Sequence, residues 1–96
     1  MSIELVLYKV MSHDGTIKTL DKRALKETIA DIIHDVSSIV KTYRYNNKLH
    51  RLTLFSVEHD FTADEYINHY KSLHPDKYGK HMLSEFDESV IRKLNY

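Results

Sequence analysis

The spacing of apolar positions changes along the chain, and each change marks an element. Ile3 to Met11 is nearly continuous in apolar and β-forming residues, which predicts a central rather than an edge strand. His13-Asp14-Gly15-Thr16 follows, and Asp-Gly is a strong hairpin signal because both residues tolerate positive φ. Thr16 to Thr19 then returns as a short strand. From Asp21 to Asp35 the period becomes helical. Leu25, Ile29, Ile32, Ile33 and Val36 form one apolar stripe, with Lys22, Lys26, Glu27 and Asp31 on the other side and Thr19 or Asp21 as the cap.

Ser38 to Val57 reads as two β-rich runs around an Asn46-Asn47 turn, since Asn accepts the left-handed conformation. That turn sets Tyr45 opposite Lys48, Tyr43 opposite His50, Lys41 opposite Leu52 and Ile39 opposite Leu54. The far end of this hairpin is apolar (Ile39, Leu52, Leu54, Phe55, Val57), and its polar, aromatic tip is expected to project into solvent. Thr62 with Glu65 three positions on predicts a capped helix start, and Phe61 can staple to Tyr66. Tyr66, Ile67, Tyr70 and Leu73 face inward, and Pro75 stops the helix, with Asp76 able to cap the next helical segment. Leu83, Phe86, Val90 and Leu94 continue at helical spacing, with Ser84 as a restart point, so one helix or two stays open there.

The predicted order is β-β-α-β-β-α-α in one domain, 1–96. The economical architecture is α+β: a four-stranded antiparallel sheet of two hairpins, with the helices packed on one face.

Composition narrows the chemistry more than it names it. Fourteen Lys and Arg balance fourteen Asp and Glu, so the chain is neither a polyanion mimic nor a generic basic nucleic-acid coat. With no cysteine, thiolate catalysis and thiolate metal sites are excluded, and a reducing, cytoplasmic setting is favoured. Glu4 interrupts the first apolar run and no basic segment precedes it, which argues against a signal peptide. The longest apolar run, Leu5-Val6-Leu7-Tyr8, is far short of the roughly 20 residues of a membrane helix. So small a chain buries little of its surface by itself, which makes a homodimer an expectation from size.

The second hairpin is the main candidate for function. Between Val36 and Val57 lie Lys41, Arg44, Lys48 and Arg51 and no acid, with Tyr43, Tyr45 and His50 interleaved. Tyr and Arg on a projecting element are the residue types enriched at interface hot spots. Cations beside rings also suit single-stranded nucleic acid, which offers phosphates and stacked bases. The bland reading is a solvated tip whose Lys and Tyr guard an edge. Glu58, Asp60, Asp64 and Glu65 come next, mostly as helix-dipole complements, and give the chain a positive-then-negative pattern that could fix the register of a partner or a dimer.

Seven histidines are dense for this length, but His59, His69, His74 and His81 match no metal-ligand spacing, and no metal or cofactor is expected. Gly-rich phosphate loops and nucleophile elbows are missing, so no catalytic residue is assigned. A metal-independent ribonuclease stays conceivable, with His50, Arg51, Tyr43 and Lys48 as proton-transfer groups and phosphate clamp.

The expectation is therefore a small non-enzymatic binding protein, a regulator or inhibitor of the kind carried by phages and mobile elements. It would occupy a protein target through Lys41, Tyr43, Arg44, Tyr45, Lys48, His50 and Arg51. A nucleic-acid-binding module on the same hairpin is the alternative.

Overall fold

The computed structural model describes residues 4–72 and 83–95. In chain order these form β1 (Leu5–Ser12), β2 (Ile17–Leu20), α1 (Lys22–Ile32), β3 (Val36–Tyr45), β4 (Lys48–Ser56), α2 (Ala63–Lys71) and α3 (Glu85–Leu94). The strands make one antiparallel sheet ordered β2-β1-β3-β4, so the α+β architecture and the element order agree with the sequence pattern. Both hairpins form, and β1 sits inside the sheet, as its continuous apolar run implies. The expectations at His74, Pro75, Asp76 and His81, and the inward position of Leu73, lie outside the described residues.

Local chemistry explains the boundaries. The Asp21 carboxylate accepts the Ala24 N–H at 2.7 Å and opens α1. That helix ends at Ile32, and Val36, placed by the helical period in its apolar stripe, is instead the first residue of β3. A turn through Ile33, His34 and Asp35 intervenes, closed by Asp35 N–H to the Ile32 carbonyl at 2.8 Å. Val36 still reaches the core, because a β-branched residue serves a strand as well as a helix face.

In β3–β4 the pairs Tyr45–Lys48, Tyr43–His50 and Lys41–Leu52 stand as the turn implies. Further along, Ile39 faces Phe55 rather than Leu54, because a bulge between Ile39 and Val40 leaves Leu54 unpaired and fully buried.

The helices pack on one face of the sheet, α1 against β1 and β2, α3 against β4, with α2 on α3. Tyr8, Val10, Leu25, Ile29, Ile39 and Leu54 fill the layer between. Thr62 caps α2 through the Glu65 N–H, and the Phe61 ring meets Tyr66 edge-on at 5.8 Å, as expected of a staple. Ser84 and Asp87 form a full capping box on α3. Two ion pairs, Lys71–Glu88 at 2.6 Å and Arg92–Asp64 at 2.9 Å, tie α2 to α3. Among the described residues, no helix is long and apolar enough to cross a membrane.

Candidate functional site

Asn46 and Asn47 both take positive φ, 58° and 63°, which gives the tight turn whose twist matches the flanking strands. With the turn fixed, side chains alternate between the helix-covered face and the open face of the sheet. From Ile39 to Tyr45, odd-numbered residues of β3 point at the helices and even-numbered ones point away.

That alternation divides the expected contact set. Lys41 and Tyr43 are not at a solvated tip; their exposures are 3% and 1%, and both sit under the helices. This burial corrects the expectation that both stand at a solvent-exposed tip. Tyr45 and His50 are half-buried on the same side, and Lys48 beside them is exposed. The His50 ring stacks on Tyr43 at 5.2 Å and 19°, and meets Tyr45 at 6.4 Å. Arg44 and Arg51 are exposed on the opposite, open face, next to Leu49, which is 60% exposed. The groups assigned together to a ribonuclease therefore separate, with Tyr43 buried and Arg51 on the other side of the sheet from His50.

The reason Lys41 is buried lies on α3. Asp87 is fully buried there, and its Oδ2 accepts from Lys41 Nζ at 2.6 Å. Its Oδ1 accepts from the Tyr8 hydroxyl at 2.9 Å, and the Ser84 N–H also donates to Oδ2 at 2.9 Å. One carboxylate thus completes a helix cap and holds a strand cation and a strand hydroxyl. Burial, reinforced by the Asp87 charge, pushes the Tyr43 phenol up to about 12, and the same causes with the direct hydrogen bond raise Tyr8 as well. Asp87 escaped the sequence reading, since its only signal was the Ser84-x-x-Asp87 cap spacing, and nothing local says that such a carboxylate goes inward.

Two surface features also emerge only in three dimensions. The open sheet face carries Lys9, Arg44 and Arg51 and no acid among its described strand residues, with Leu5, Met11, Val40 and Ile17 between them. Thr42 Oγ1 lies buried there with no hydrogen-bond partner among the described residues. At the end remote from Arg44, a shallow cleft is lined by Met11, Ser38, Val40, Thr53, Val57, Glu58 and His59, among others. Beside it, Phe61 stacks with His59 at 5.9 Å and with His69 at 6.1 Å. Both imidazoles are thereby engaged with a phenyl ring rather than turned toward each other. Among the described residues no three His, Cys, Asp or Glu side chains converge as metal ligands would.

Fold and site together define a small α+β protein with a one-sided helical cover and an open sheet face. Comparison with protein-family models, with curated proteins and with solved structures finds no match.

Proposed function

We propose that this chain is a non-enzymatic binding protein, a regulator or inhibitor that docks on a protein target through the exposed end of the β3–β4 hairpin. The supporting observation is the arrangement at that end: the His50 ring is stacked on buried Tyr43 and borders Tyr45. Lys48 stands exposed beside these rings, and Arg44 is exposed at the same hairpin end on the opposite face. Rings held from beneath lose little freedom when a partner covers them, and cations at the rim steer an acidic surface toward them. The hairpin itself contributes no acid between Val36 and Val57. A protein target is favoured over nucleic acid because Tyr43 is inside, which leaves only half-buried Tyr45 and His50 as stacking surfaces on this hairpin.

The test pairs affinity capture from a cell extract with a binding titration. Wild type is expected to retain a stoichiometric protein partner that a Lys48→Glu/His50→Ala variant loses while keeping its circular dichroism spectrum. Labelled single-stranded DNA and RNA are expected not to bind at about 50 or about 200 mM salt. Tight binding that collapses between those salts, as phosphate contacts require, overturns the protein reading in favour of nucleic acid. Capture unchanged by the variant removes the hairpin end from the interface.

A further inference from the structure

We infer that the open sheet face is the interface of a two-fold dimer, in which Arg51 of each copy meets Glu58 of the other. Its starting point is a face that no described helix covers and that is unevenly charged. Arg51 lies opposite Thr42 on that face, near the hairpin end. Glu58 borders the cleft at the opposite end, where Val57 N–H bonds the Ser37 carbonyl. The two sit at opposite ends of the same edge of the sheet, one on β4 and one just past it.

A two-fold axis lying in the sheet plane and crossing the strands brings the positive end of one copy over the negative end of the other. It therefore forms the Arg51–Glu58 contact twice, since every contact in such an interface is duplicated. An axis along the strands would instead bring the two positive ends together and is disfavoured. Between the charged ends, Val40 on β3 and Leu7 on β1 stand on the middle of the face, so the axis passes close to Val40. Lys9, opposite Val40, is the one cation among the described residues of this middle region and faces its own copy across the axis, and its flexible stem lets each ammonium leave for the rim.

The size is adequate for a modest dimer. Four strands at about 4.8 Å spacing and eight residues at about 3.3 Å give roughly 500 Å² per copy. Two copies bury about 1,000 Å², the lower bound for a specific interface. Exposed Ile17 and Leu49, each 60% accessible, lie on the same face and gain cover at its margins. Sheets stacked face to face in this way form the aligned packing of sandwiches. The helix side of the hairpin end, with Tyr45, Lys48 and His50, stays outside the interface. The dimer thus goes beyond the target-binding reading and stands or falls separately from it.

Sedimentation equilibrium of the full chain tests this, over about 1 to 200 µM because interfaces of this size are modest in affinity. A concentration-dependent rise from 11.4 kDa toward twice that mass is expected. Arg51→Glu and Glu58→Arg are each expected to weaken the dimer about tenfold, and their combination to restore it to within about threefold, as one close charge pair per contact requires. Both positions are exposed, so these variants remain folded. Val40→Asp, checked for folding by circular dichroism, is expected to give a monomer. A chain that stays at 11.4 kDa throughout overturns the proposal. So does a dimer indifferent to Val40→Asp, or one that the double charge reversal fails to restore.

Discussion

Asp87 fixes more of this molecule than any other side chain, because its two oxygens take partners from β1, β3 and its own helix cap. A buried ion pair offers little net stability against a well-packed apolar pair, but removing one partner strands the other charge in a dry interior. Asp87→Ala is therefore expected to lower unfolding free energy by about 3–5 kcal/mol. Lys41→Met combined with Asp87→Leu is expected to recover most of that loss, because no charge is then buried alone. Urea denaturation of the three variants gives the comparison. A double variant as unstable as Asp87→Ala would mean that the Tyr8 and Ser84 contacts, not the ion pair, carry the effect. The same pair explains why Lys41, which reads as a binding cation, is a packing residue.

Among the elements, the β3–β4 hairpin shows how a turn governs a surface. Its two-residue loop requires positive φ at both positions, and Asn46 and Asn47 supply it. Asn47→Gly keeps the register and is expected to change stability by less than about 1 kcal/mol, in the stabilising direction, since glycine accepts that conformation without strain. Asn46→Val is expected to cost about 1–2 kcal/mol, the penalty of a left-handed β-branched residue. Chemical denaturation measures both. A neutral Asn46→Val would show that the loop can re-form with another turn, and the sorting of Arg44 and Arg51 from Tyr43 and His50 would then be less firmly fixed. This register was legible in the chain as far as Lys41–Leu52. It failed at Ile39, because a bulge depends on how Leu54 and Phe55 both fit beneath the helices, and the strand pattern alone carries no trace of that fit. The end of α1 failed for a related reason: Ile33 and Val36 continue the helical stripe, while pairing with β1 draws Val36 into the sheet.

Over the whole molecule, burial of tyrosines couples stability to alkaline pH. Tyr8 and Tyr43 from the sheet and Tyr66 from α2 all have raised ionisation, chiefly through burial. Below about pH 10 these phenols are protonated in both states and their contribution is fully present. Above it the unfolded chain ionises while the folded one does not, so stability falls, by about 1.4 kcal/mol per pH unit for each tyrosine. For Tyr43 the fall continues up to about 12, where the folded state also titrates. Denaturation midpoints are expected to be level between about pH 8 and about pH 9.5 and to drop steeply beyond. Tyrosinate absorbance, followed alongside, is expected to appear with unfolding for these residues. A midpoint still level at about pH 11.5 would contradict their burial.

The sequence by itself determined the elements, their order and the α+β class, because hydrophobic period, caps and turn residues act over a few neighbours and are written locally. It also marked the second hairpin as basic and aromatic. Only the tertiary structure decided which of those side chains meet solvent. Strand alternation sends neighbouring residues to opposite faces, and the choice of covered face rests on where α1, α2 and α3 pack. Lys41 went inside because Asp87, 46 residues beyond it, waits on the helix side, and Tyr43, two positions on along the same strand, lies on that same face. Arg44 and Arg51 stayed out because no described helix covers the other face. Long-range pairing of that kind has no local signature, since its energy exists only once distant segments have met.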